Sequence, residues 1–151
     1  MILVSACLIG VDCKYNGGNN KNDKLMEYLK DKMVIPVCPE QLGGLCTPRI
    51  PAEIVGGSAE DVIDGKAKVI NKENQDVTEE FLKGAYETLK ICRTLGIKKA
   101  VLKEKSPSCG TNQVYDGSFK SKIIDGYGIT AVLLIKDGID LKSEKYFEGG
   151  E

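Results

Sequence analysis

Three short apolar runs, at positions 2–6, 34–37 and 100–102, each lead to a cysteine: Cys7, Cys38 and, through Ser106-Pro107-Ser108, Cys109. Apolar stretches of this length, bounded by polar or Gly/Pro segments, read as buried strands. Between the first two lies a helical pattern at 23–33, with Leu25, Met26, Leu29 and Met33 on one stripe and Asp23 as its cap. A longer helix follows Asp76-Val77-Thr78-Glu79, which has capping-box spacing. Its stripe of Val77, Phe81, Leu82, Ala85, Leu89, Cys92 and Leu95 ends at Gly96. Positions 99–103 read as a strand, and the apolar run 129–135 reads as the last core strand.

The remaining segments are punctuated by turn residues. A polar loop with Gly10 and Asn16-Gly17-Gly18-Asn19-Asn20 follows the first strand, so Cys7 enters a loop. Residues 39–57, with Gly43-Gly44 and Thr47-Pro48-Arg49-Ile50-Pro51, exclude regular helix and a central strand. A loop of that length is usually functional. Residues 61–71 read as a small hairpin around Asp64-Gly65, and 113–119 carries a turn at Asp116-Gly117. Helix and strand alternate in the core, which predicts an α/β fold. It is a single domain over 1–151, with a mainly parallel, Rossmann-like sheet flanked by helices and a small hairpin excursion.

The chain has 151 residues, a formal net charge of -1 and no histidine. The near-neutral balance gives no strong signal for nucleic acid or an anionic membrane as partner. The N-terminal run has no basic segment before it and is too short for a signal sequence or membrane span, so a cytoplasmic location is expected. Without histidine the chemistry must rest on other groups, because imidazole bases, imidazole ligands and Ser-His or Cys-His pairs are all excluded. Six cysteines in a reducing compartment point to thiols, ligands or catalytic groups rather than a disulfide framework.

In an open parallel sheet, ligands sit at the carboxyl ends of the strands. Cys7, Cys38 and Cys109 would therefore converge there, which suits a metal or iron–sulfur centre with a position left open for substrate. Three cysteines on a cubane cluster leave one iron without a protein ligand, able to take a soft sulfur atom. Cys13 shares a loop with Cys7 and competes as a ligand; Cys92 falls on the helical stripe and fits core packing, while the pattern does not place Cys46. Glu40, two positions after Cys38, supplies a carboxylate beside the same centre whose pKa burial would raise toward neutrality. Ser106 and Ser108 flank Pro107 before Cys109, and either hydroxyl suits orienting a substrate or water. Arg49 and Lys103 are candidates for holding an anionic or carbonyl-bearing substrate. Gly17-Gly18 and Gly43-Gly44 match no nucleotide-binding pattern.

Several motifs together resemble a known family. They are Val4-Ser5-Ala6-Cys7-Leu8-Ile9-Gly10 with Cys13-Lys14-Tyr15-Asn16-Gly17, then Pro36-Val37-Cys38-Pro39-Glu40, Gly43-Gly44-Leu45 with Thr47-Pro48-Arg49, and Ser106-Pro107-Ser108-Cys109-Gly110. The family is a widespread microbial one, long catalogued only as a domain of unknown function, that includes thiouracil desulfidases. The resemblance implies an oxygen-sensitive 4Fe-4S cluster held by Cys7, Cys38 and Cys109, an acid/base role for Glu40, and an assisting hydroxyl from Ser108 or Ser106. It implies a small-molecule thiolated nucleobase as partner and a non-redox, hydrolytic desulfuration releasing hydrosulfide. The family typically has another residue where this chain has Cys46. Two other readings stand beside it: a non-catalytic cluster- or metal-binding sensor or storage module, and an accessory protein binding through the Pro/Gly loop.

Overall fold

The computed structural model describes residues 1–149; Gly150 and Glu151, the end of the expected 1–151 domain, lie outside the described residues. In chain order the elements are β1 (Ile2–Ser5), α1 (Asp23–Leu29), β2 (Val34–Val37), α2 (Pro39–Leu42), β3 (Ala52–Val55), α3 (Ala59–Ile63), β4 (Lys68–Asn71), α4 (Thr78–Leu95), β5 (Lys99–Leu102), β6 (Gln113–Tyr115), β7 (Ile123–Asp125), α5 (Ile129–Lys136) and β8 (Asp140–Ser143). Four of the strands form a parallel sheet in the order β2-β1-β5-β8, as the alternation of apolar runs and helical patterns predicts. The chain moves from β1 to β2 on one side and later to β5 on the other. The order therefore switches direction between β1 and β5, where open α/β sheets leave a crevice at the carboxyl ends.

Alternation along β1 sends its side chains to two cores. Leu3, with Ala100 and Leu102 of β5, packs into the larger core against Phe81, Ala85 and Leu89 of α4 and the apolar residues of α5. Ile2, Val4 and Val101 pack on the other face against Leu25 and Leu29 of α1. Full burial of side chains such as Leu3, Leu25, Phe81 and Leu102 stabilises the fold by about 1.5–3 kcal/mol each.

The apolar run at 129–135 is a helix, not the expected strand. Ile129 through Leu134 are all buried, and a helix buried on every side shows no amphipathic period, so the run alone does not separate helix from strand. The last strand of the parallel sheet is instead β8, whose partial exposure at the sheet edge left no apolar run to read. The first helix stops at Leu29 rather than Met33, which is 66% exposed, and its cap is Asn22, whose side chain accepts the Leu25 N–H at 2.9 Å.

Residues 61–71 are not a self-contained hairpin. Ser58 and Asp61 form a reciprocal capping box that starts α3, and β4 pairs antiparallel with β3 from the preceding loop. The 39–57 segment, where no regular helix was expected, holds the short helix α2, because Pro39 sits at its first position where no N–H partner is needed, and strand β3, which lies in a separate two-stranded sheet. A second two-stranded sheet joins β6 to β7, so the excursions number two. Before α4, Asp76 Oδ1 accepts from the Thr78 N–H at 3.0 Å and hydroxyl at 2.6 Å, and the helix ends at Gly96 with φ 69°. Among the described residues no helix is long and apolar enough to cross a membrane.

Candidate active site

The three predicted strand ends open on one cavity of about 490 Å³, lined by Cys7, Cys13, Cys38, Glu40, Ser106 and Cys109 among others. Neighbouring parallel strands deliver each cysteine. β1 ends at Ser5 and turns through a 3-10 segment, Ala6–Ile9, that carries Cys7. β2 ends at Val37, and Cys38 caps α2 with Pro39 and Glu40 in its first turn. Beyond β5 the chain makes a tight loop back to Cys109. Cys92 is buried in the α4 stripe, with its thiol pushed up to about 11 by burial, and Cys46 is exposed.

Thiolate character is distributed unevenly. The Cys13 thiol donates toward both Cys38 and Cys7, which holds Cys38 down at about 6 and lowers Cys7, while Cys13 itself is raised. The backbone N–H of Gln41 and the Arg49 charge lower Cys38 further, against burial and the repulsion of Glu40. Burial pushes the Cys109 thiol up, countered in part by a hydrogen bond from Ser5. Burial likewise raises the Glu40 carboxyl, and Arg49, 3.4 Å away, pulls it partway back.

Among the described residues, no three Cys, Asp or Glu side chains surround a point where one metal ion would touch them all. Three thiols that face one cavity suit a polynuclear iron–sulfur group, because each sulfur can then ligate a different iron. The donor set is soft, histidine is absent, and two of the thiols already favour the ligating thiolate.

The two serines separate cleanly. Ser106 lines the cavity, and its Oγ accepts the backbone N–H groups of Ser108 at 3.0 Å and Cys109 at 3.1 Å, which leaves its O–H to donate. Ser108 is 1% exposed, and its hydroxyl pairs with that of Thr130 at 2.9 Å at the start of α5. Gly128 lets α5 approach this loop: a Cβ there would collide with the Ser108 carbonyl. Lys103 lines the cavity with its Nζ held by Glu144 Oε2 at 3.1 Å and the Glu104 carbonyl at 2.9 Å. Arg49 is 7% exposed in its side chain and is engaged by protein atoms.

Two residues that the sequence pattern passes over shape the site. Glu104 reads as a solvated charge between Lys103 and Lys105, yet it is 3% exposed and its Oε1 accepts the N–H groups of Thr111, Asn112 and Gln113 at 2.8–2.9 Å. It thereby closes the loop that carries Cys109. Ser5 also lines the cavity and accepts the Lys103 N–H at 3.0 Å, tying the ends of β1 and β5 together. A lone hydroxyl in a buried strand, two positions before Cys7, was the available signal.

The fold and site thus define an α/β protein with a thiol-lined cavity at the switch point of its parallel sheet. The chain belongs to the 2-thiouracil desulfurase family, whose model matches residues 2–146. This agrees with the resemblance carried by the motifs. It is 45% identical over 144 residues to the uncharacterized protein YbbK of Bacillus subtilis (strain 168), covering 95% of each chain. A solved structure of the 4Fe-4S-dependent thiouracil desulfidase TudS is similar with a TM-score of 0.85 and 37% identity, over 98% of this chain and 93% of that one.

Proposed function

We propose that this chain is, over its whole length, a desulfidase domain that removes sulfur from a thiolated nucleobase such as thiouracil, using a 4Fe-4S cluster held by Cys7, Cys38 and Cys109. One observation carries the reading: these cysteines share a single cavity with Glu40 and Ser106 at the carboxyl ends of β1, β2 and β5. A passive cluster holder or sensor has no need of that carboxylate and free hydroxyl. The family and the TudS fold support the same activity.

When bound, the cluster supplies a Lewis-acidic iron that lacks a protein ligand and can take the substrate's exocyclic sulfur. The chain's own residues then handle water and protons. Glu40, raised above the usual carboxylate range yet held against Arg49, accepts a proton from the attacking water. A C–O bond forms at the thioamide-like carbon, its C–S bond then breaks, and the sulfur leaves as hydrosulfide with the proton that Glu40 took from water, while the second water proton passes to solvent as the new carbonyl forms. Ser106 donates its O–H toward the reacting group, its oxygen fixed by two backbone N–H groups.

Anaerobic reconstitution with iron and sulfide, followed by ultraviolet assay of thiouracil loss, tests the proposal. Turnover is expected in the wild type and reduced about 100-fold or more in Glu40→Gln, the range a positioned acid/base contributes. A reconstituted protein that holds its cluster and leaves thiouracil intact would refute the reading.

A further inference from the structure

Arg49 reads from the sequence as a clamp for substrate, and the geometry points elsewhere. A guanidinium offers five N–H donors in a rigid plane. Here Nε donates to Glu40 Oε1 at 3.4 Å, Nη1 to Thr47 Oγ1 at 2.9 Å and the Cys46 carbonyl at 3.3 Å, and Nη2 to the Cys13 carbonyl at 2.8 Å and Cys38 Sγ at 3.9 Å. The whole set is spent on the protein. Its backbone N–H also donates to the Tyr15 carbonyl at 2.7 Å.

The partners belong to three separate segments: the loop after β1, the first turn of α2, and the 46–49 turn itself. A single planar group ties them together. The Cys13 carbonyl accepts from Arg49 at 2.8 Å and lies 3.8 Å from Cys38 Sγ, so the three groups sit against one another. Glu40 and Cys38, two positions apart, both contact the same cation.

Resting on the desulfidase reading above, we propose that Arg49 is a positioning residue: its fork fixes the Glu40 carboxylate relative to the Cys38 sulfur and locks both to the loop that carries Cys7. It acts through those groups and makes no contact with substrate. Lysine carries the charge but lacks the planar fork, so it restores the charge without the geometry.

The test compares Arg49→Lys and Arg49→Met with wild type in two independent arms. In the first, hydrogen exchange is followed in apo protein kept anaerobic. Faster exchange is expected in 10–20 and 38–49, with 85–102 unchanged, which also identifies any variant that has simply unfolded. In the second, kcat and KM for thiouracil are measured after reconstitution, with iron content per chain. Both variants are expected to lose about 100-fold in kcat, the scale of a misplaced reacting group, with KM within about twofold of wild type.

A raised KM with kcat retained would mark a substrate contact and overturn the proposal. Full kcat in Arg49→Lys would overturn it too, since charge alone would then suffice. If wild type binds no cluster or leaves thiouracil untouched, the functional reading fails by itself. The exchange arm still decides for Arg49, and unchanged exchange in both segments would refute its positioning role.

Discussion

The hydroxyls of Ser108 and Thr130 lie 2.9 Å apart with both residues fully or almost fully buried, on the α5 side of the loop rather than in the cavity. Ser106, two residues earlier, faces the cavity with its oxygen held by two backbone N–H groups. The two serines therefore predict different losses. Ser106→Ala is expected to lower desulfuration by about 100-fold or more, on the scale of a lost transition-state donor, with little change in unfolding midpoint. Ser108→Ala should instead cost about 1–3 kcal/mol of stability, because it strands a buried Thr130 hydroxyl. Urea unfolding and initial-rate assays on both variants separate the roles.

Cluster retention should divide the cysteines in two groups. Alanine at Cys7, Cys38 or Cys109 is expected to abolish iron and acid-labile sulfide binding, because each removes one of the proposed ligands. Alanine at Cys46 or Cys92 should leave the cluster absorbance in place. Cys46 is exposed and Cys92 lies in the core. Iron content and visible absorbance after anaerobic reconstitution give the answer.

Glu104 makes acid stability a property of the Cys109 loop. Burial raises its carboxyl, but the N–H groups of Asn112, Gln113, Thr111 and Lys105 outweigh that and hold it below the ordinary carboxylate range. A group depressed in the folded state contributes stability that is present above its unfolded pKa of about 4.3 and is lost as pH falls through its folded value. Glu104→Gln is therefore expected to cost about 2–3 kcal/mol near neutrality and to flatten the fall in stability below about pH 4. Urea titrations of the apo protein across that range measure both effects.

Helix α2 is held to α4 through two glycines. A Cβ on Gly43 would strike the Glu80 carbonyl, and one on Gly84 would strike the Pro39 carbonyl. Both obstacles are backbone, so neither can yield without moving α2, which carries Glu40. Gly84→Ala is expected to destabilise by about 1–3 kcal/mol and to lower activity disproportionately to the loss of fold. Thermal unfolding alongside turnover at a temperature where the variant stays folded checks this.

The parallel sheet was legible because its strands carry their own signal. Positions 2–6, 34–37 and 100–102 are apolar runs closed by polar or turn residues, and the cysteines that follow them fall beyond strand ends by chain connectivity alone. The α4 stripe was equally plain, since Phe81, Ala85, Leu89 and Cys92 repeat at helical spacing and are buried. The run 129–135 misled because complete burial erases the period that tells helix from strand, and β8 went unread because it lies half-exposed at an edge.

What the sequence determined by itself is which backbone segments are apolar, where they stop, and which soft and acidic groups stand at those stops: Cys7, Cys38, Glu40 and Cys109, with histidine chemistry excluded. Tertiary structure decided which way those side chains face. It turned Ser106 toward the cavity and Ser108 toward Thr130, spent the Arg49 fork on its own turn and two other segments, and buried Glu104 under the Cys109 loop. The physical reason is range. Hydrophobic period and turn chemistry act over a few residues, whereas a hydrogen bond such as Arg49 to the Cys13 carbonyl joins positions 36 apart, and a one-dimensional pattern holds no record of it.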